Sequence, residues 1–199
     1  MKLLRLAVSI AAVASLTGCS VGGLLGGGGK APATLLRLTP EAAPVSIQRS
    51  ATPGQTVMVS APVIQKELRT TRVPALVSYY GVQYIQDLQW VDTPDRLFQG
   101  LLAETLRRRT SRVVLDHGTT TVEPGLMLSG ELQRFGFDEA SSSVVVEFDA
   151  ALSRTGGTAV ETRRFNASVP ATGDAASVGP ALNRAANQVA LDVATWIGG

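Results

Sequence analysis

Ser143-Val144-Val145-Val146-Glu147-Phe148-Asp149-Ala150-Ala151-Leu152-Ser153 is the stretch that decides the fold. Successive side chains of a strand point to opposite faces, so Val144, Val146, Phe148, Ala150 and Leu152 share one face while Glu147, Asp149 and Ser153 share the other. Such a strand belongs to a sheet buried on one side only. Residues 125–137 and 158–169 flank it, joined through Glu139-Ala140-Ser141-Ser142 and Thr155-Gly156-Gly157-Thr158. Those turn-forming tetrads predict an antiparallel meander. The buried face needs a cover, and residues 177–196 supply one: Val178, Leu182, Ala185, Val189, Val193 and Trp196 recur at helical spacing and form a single apolar stripe.

Upstream, Thr93 is placed to cap a second helix with Pro94 at its first position and Asp95 in its first turn. Leu97, Phe98, Leu101, Leu102 and Leu106 form its apolar face, and Arg107, Arg108 and Arg109 close it where the helix dipole favours cations. Before it, residues 35–40 and 55–61 read as short strands, the second stopped by Pro62. Residues 75–80 and 82–91 read as a bent strand pair or hairpin around Gly81, and residues 112–115 as a further strand. The expectation is an α+β, two-layer sandwich: a mostly antiparallel sheet with two amphipathic helices on one face.

The amino terminus has a different composition. Lys2 and Arg5 precede an apolar run over residues 6–16, and Leu16-Thr17-Gly18-Cys19 follows. A spanning helix needs about 20 apolar residues, so the run reads as a secretory signal rather than an anchor. Leu16, Thr17 and Gly18 before the cysteine resemble the recognition motif of bacterial lipoprotein processing, which makes Cys19 the acylated first residue of the mature chain. Multiple acyl chains on one cysteine anchor it stably, since each buried methylene contributes about 0.8 kcal/mol. Ser20, rather than an aspartate, favours delivery to the outer membrane over the inner one. Residues 20–34 are glycine-rich and read as a flexible spacer reaching on the order of 20 Å, and at most roughly 50 Å. The expected organisation is therefore a signal peptide over residues 1–18, a lipidated cysteine and linker over 19–34, and one domain over 35–199.

Charge and composition exclude several function classes. Charged residues are 17% of the 199, against about 25% in ordinary soluble domains. Processing removes Lys2 and Arg5 from 18 basic residues, which leaves as many basic as acidic side chains, 16 each. A basic nucleic-acid surface has no support in that balance. One cysteine and one histidine exclude a disulfide framework and a Cys/His metal cluster, so no metal and no cofactor beyond the lipid on Cys19 is expected. The nucleophile-elbow, zincin, Walker and dinucleotide-binding motifs are missing. Carboxylates fall in pairs, Asp92 with Asp95, Asp138 with Glu139, and Glu147 with Asp149; helix capping, a turn and a solvated strand face account for them. His117 beside Asp116 reads as a surface loop histidine, and no enzymatic activity is expected.

Two groups remain as contact candidates. Tyr79, Tyr80, Tyr84 and Trp90 fall within twelve residues of sequence, a density that suits either a greasy groove or partner interface, or the core of the central hairpin. Arg107, Arg108 and Arg109 suit a solvated helix end, or contact with lipid head groups or an acidic partner.

The order of motifs resembles the ABC-type transport auxiliary lipoproteins, the group that includes the lipoprotein of the paraquat-inducible intermembrane transport system. The resemblance is carried by Leu35-Leu36-Arg37-Leu38, by Val57-Met58-Val59-Ser60-Ala61-Pro62 and its sequel Glu67-Leu68-Arg69-Thr70-Thr71-Arg72-Val73, and by Gln89-Trp90-Val91-Asp92-Thr93-Pro94. Leu128-Ser129-Gly130-Glu131-Leu132-Gln133-Arg134-Phe135, Arg163-Arg164-Phe165 and the terminal helix complete it. Leu35 and Leu36 stand where many relatives carry aromatics. The resemblance implies a periplasmic, non-catalytic component of a transporter for lipids or other hydrophobic molecules. It would dock onto an Mce-domain protein partnered with a permease and an ATPase, tethered to the membrane through its lipid, with self-association left open. The competing readings are a lipid-binding shuttle or chaperone with an apolar pocket under Tyr79, Tyr80 and Trp90, and an anchored hydrolase using Asp116, His117 and Glu131.

Overall fold

The computed structural model describes residues 34–45, 49–115 and 123–198. Eight strands and two helices follow in the order β1 (Thr56–Val59), β2 (Val63–Ile64), β3 (Arg72–Leu76), β4 (Val82–Gln89), α1 (Pro94–Arg109), β5 (Val113–Leu115), β6 (Leu126–Asp138), β7 (Ser143–Arg154), β8 (Val160–Pro170) and α2 (Ala175–Gly198). The α+β sandwich and its meander are as the sequence leads one to expect.

β6 is the spine of the sheet. On one side β7 pairs with it antiparallel along its whole length, and β8 continues beyond β7. On the other side three short segments lie end to end against it, all parallel: β1 opposite Leu126 to Leu128, β2 opposite Glu131 and Leu132, and β3 opposite Phe137 and Asp138. β5 extends the sheet beyond β1 and β4 beyond β3. The sheet is thus mixed, with antiparallel pairing over its long strands and parallel pairing over its short ones.

Register within β6 shifts between Leu132 and Arg134. Leu126, Leu128 and Leu132 face the core at even positions, whereas Phe135 and Phe137 do so at odd ones. One extra residue in a strand inverts every side chain after it, and the bulge at Gln133 keeps both halves of β6 apolar on the same side. Gly130 sits just before it; a Cβ there would lie 2.2 Å from the Asp149 carbonyl oxygen, so β7 approaches closer than any side chain allows.

α2 packs on β7 and β8, and α1 packs beside α2. Phe98 of α1 stacks edge-on against Phe148 and Phe135 at centroid distances of 5.3 and 6.3 Å, and Trp90 meets Phe135 at 5.6 Å. These four rings are essentially without solvent exposure and fill the interior.

Three local expectations change. Residues 35–40 form no strand beyond one bridge between Leu36 and Trp90, because the segment leaves the sheet to cross the helices. Thr93 occupies the cap position of α1 without a capping side-chain bond; Asp92 Oδ1 instead accepts the Thr93 amide at 2.7 Å. α2 begins at Ala175, two residues early, because the Asp174 carboxylate accepts the Ser177 amide at 3.0 Å and so supplies the cap.

Candidate functional site

Cys19, the Leu16-Thr17-Gly18 motif, the loop with Asp116 and His117, and nearly all of the glycine-rich linker lie outside the described residues. The point where the chain enters the domain is described. Leu36 bridges Trp90, and its side chain reaches α2 at Gly179, where a Cβ would stand 3.0 Å from Leu36 Cδ1. Beyond it the segment is strapped to α2 by two asparagines one helical turn apart. Asn183 Oδ1 accepts the Thr39 amide at 2.8 Å, and Asn187 Oδ1 accepts the Glu41 amide at 2.8 Å. Asn187 Nδ2 donates to Thr39 O at 2.9 Å and to Asn183 O at 2.8 Å. The two side-chain amides serve the strap as a neighbouring strand would, satisfying backbone groups that have no ladder.

Arg108 holds the same strap, donating to the Ala42 carbonyl at 2.7 Å and to Glu104 Oε1 at 2.7 Å. Arg107 reaches Glu104 at 3.4 Å. Burial pushes the Glu104 carboxyl upward, but hydrogen bonds and charge from Arg108 and Arg107 outweigh it and hold it below the ordinary glutamate value. Arg109 lines an open groove of about 530 Å³ together with Arg184, Ala43, Val169 and Leu191. The three arginines therefore divide: two are engaged at Glu104, with Arg108 also a structural clip, and one borders a groove.

The aromatic set divides as well. Trp90 is 1% exposed and belongs to the core, where it packs against Phe135 away from the surface. Tyr84 is partly buried, with Arg72 stacked 4.2 Å over its ring and its hydroxyl donating to the Glu67 carbonyl at 3.2 Å. Tyr79 and Tyr80 are 87% and 92% exposed at the tip of the β3–β4 hairpin, packed edge-to-face at 4.7 Å. Proximity in sequence did not mean proximity in space, because strand alternation and a bulge in β4 send these rings to different environments.

Three of the paired carboxylates, Asp138, Glu147 and Asp149, meet arginines. Asp149 accepts Arg164 in a bidentate clasp, both distances 2.6 Å, while Glu147 lies 3.3 Å from the same guanidinium and Gln133 donates to Asp149 at 3.2 Å. The Arg164 hydrogen bonds keep Asp149 below the usual aspartate range and raise Arg164 further. The hydrogen bond from Arg134, 2.7 Å away, lowers Asp138 against the effect of burial. A general acid needs its pKa raised towards neutrality, and Asp138 and Asp149 move the other way. Among the described residues no three His, Cys, Asp or Glu side chains stand close enough to hold a metal ion, and no helix is long and apolar enough to cross a membrane.

The described surface is that of an α+β domain that presents grooves, an exposed aromatic tip and a pinned entry strap. The chain belongs to the family of ABC-type transport auxiliary lipoprotein components, whose model matches residues 36–194. Membership makes it an auxiliary component of an ABC-type transport system in the cell envelope, in a family that is not one of enzymes. Its fold is similar to the crystal structure of a Xanthomonas campestris protein of the family DUF330, with TM-score 0.64 and 18% identity over 82% of this chain and 91% of that one. A second crystal structure, of an uncharacterised protein, aligns at TM-score 0.59 and 14% identity over 73% and 90%. A PelC dodecamer from Paraburkholderia phytofirmans aligns at only TM-score 0.41 and 12% identity over 73% and 92%, too distant for its assembly to bear on this chain. No curated protein sequence matches significantly.

Proposed function

We propose that this chain is a lipid-anchored periplasmic docking subunit of an Mce-type ABC transport system for lipids or other hydrophobic compounds. The observation that carries the reading is the family match over residues 36–194, nearly the whole domain. The proposed organisation has residues 1–18 removed as a signal peptide, Cys19 acylated, residues 19–34 as a leash and residues 35–199 as the docking domain, with no cofactor beyond the lipid. Ser20 favours residence at the outer membrane. The strap pinned by Asn183 and Asn187 suits this role, since it fastens the segment that follows the proposed leash to α2. Tyr79 and Tyr80 offer a partner-facing aromatic surface that would lose much water-exposed area on binding.

The test is replacement Cys19→Ala in the producing cell. The reading expects the protein to leave the membrane fraction, the envelope barrier to weaken, and co-purification with an Mce-domain protein to fall. A wild-type chain found freely dissolved with an unmodified thiol would overturn it. A second reading, a lipid-binding shuttle or chaperone, draws on the 530 Å³ groove, whose apolar side chains lie beside Arg109 and Arg184. Solvent extraction of the purified protein separates the two: stoichiometric lipid supports the shuttle, and none supports the docking subunit.

A further inference from the structure

Beside the β3–β4 hairpin an open groove of about 1020 Å³ lies between β4, the β6–β7 turn and the start of α2. Val77, Ile85 and Phe137 contribute its apolar surface, and three carboxylates border it: Asp87, Glu139 and Asp174. Among the described residues no lysine or arginine lines it. The asymmetry is local, because the chain without its first 18 residues carries equal numbers of acidic and basic side chains.

Glu104, Asp138, Glu147 and Asp149 each meet an arginine, whereas neither Asp87 nor Glu139 has an ion-pair partner among the described residues. Asp87 is moreover delivered to the groove by an irregularity of β4. Residues 85–88 stand against Val73 alone, and Asp87 adopts a φ of 55°. The hairpin that carries this wall ends in the exposed Tyr79–Tyr80 pair, and no charged residue occurs from Val77 to Gln86. A groove of mixed polar and apolar lining, with an uncompensated acidic rim and an adjacent pair of exposed aromatics, matches the anatomy of a protein interface. An anionic membrane surface would be repelled by the same rim.

We propose that this groove docks a basic, partly apolar segment of a protein partner, whose Lys or Arg side chains meet Asp87 and Glu139 while its apolar side chains occupy the space beside Ile85 and Phe137. The Tyr79–Tyr80 tip closes over the same segment. This assignment rests on the docking role proposed above and specifies the surface that performs it. Asp174 contributes charge to the rim but is also the cap of α2, so it is left unaltered in the test.

The experiment places a photo-crosslinking amino acid at exposed Gln83, beside the groove, or at exposed Thr162, on the opposite edge of the sheet, in the full-length chain in living cells. Adducts are identified to the peptide by mass spectrometry. The expected result is an adduct at Gln83 with a transporter subunit, in a segment carrying at least two Lys or Arg and no Asp or Glu. The double variant Asp87→Asn with Glu139→Gln should reduce its yield by about tenfold. Asparagine tolerates the left-handed backbone at position 87, and Glu139→Gln alone, in an exposed turn, should give about threefold. A neutral or acidic segment, a lipid, or a second copy of this chain at Gln83 overturns the proposal, as does a yield unaffected by either variant. An adduct with the transporter only at Thr162 refutes this groove while leaving the docking role standing. Adducts with it at neither position refute both.

Discussion

Replacing Asn187 by alanine should detach the entry strap without unfolding the domain. The side chain, 7% exposed, makes three hydrogen bonds: to the Glu41 amide, the Thr39 carbonyl and the Asn183 carbonyl. A typical intramolecular hydrogen bond contributes about 0.5–1.5 kcal/mol net, and the strap is only partly buried, so water re-solvates the freed groups. The loss is thus about 2 kcal/mol, concentrated on residues 39–41. Amide hydrogen exchange resolves it residue by residue. The Glu41 amide, which loses its acceptor, should exchange near its intrinsic rate. The Thr39 amide, still facing Asn183 Oδ1, should lose about 30-fold protection, which is what 2 kcal/mol amounts to. Core amides such as that of Val146 should change much less. Unchanged protection at Thr39 would show that Leu36 and Arg108 hold the strap and that the paired asparagines do not. Adding Asn183→Ala should show coupling of at least about 0.5 kcal/mol, since the two amides share one segment.

Phe98→Ala removes a ring with no exposure from between Phe135 and Phe148 and should cost about 3–5 kcal/mol in urea denaturation; under 1 kcal/mol would mean the interior is loosely packed. Gly130→Ala places a methyl group against the Asp149 carbonyl and the Phe148 ring, so a loss of about 1–3 kcal/mol is expected, read as a lowered urea midpoint. The lowered pKa of Asp138 gives a pH signature: its pairing with Arg134 is fully present above the ordinary aspartate value of 3.8 and is lost as pH falls through the depressed folded value. With Arg134 more than a third exposed, the effect is well under 1 kcal/mol. The stability gap between wild type and Arg134→Gln should therefore narrow between pH 5 and pH 2, and a gap that widens would refute the assignment.

Local pattern carried the long elements. Alternation in residues 143–153 identified β7 and its buried face, and stripes of period 3.6 located both helices, because these signals depend only on which side of a regular element each side chain occupies. Even the bulge at Gln133 is written in the change from even to odd apolar positions along β6, although only its partner strand shows that one face is kept. The family was equally legible, through the order of its motifs rather than through any single one.

The three parallel segments laid end to end along β6 were decided by the tertiary structure. Pairings between residues such as Ala75 and Phe137 join segments far apart in the chain, and neither segment encodes its partner locally. The same holds for the separation of Tyr79 and Tyr80 from Trp90, for the clip from Arg108 to the Ala42 carbonyl, and for the acidic groove assembled from β4, the β6–β7 turn and α2. Sequence by itself determined which residues seek burial and with what period; which strangers they meet, and so which charges are left without a counter-ion, followed only from packing the two helices on the sheet.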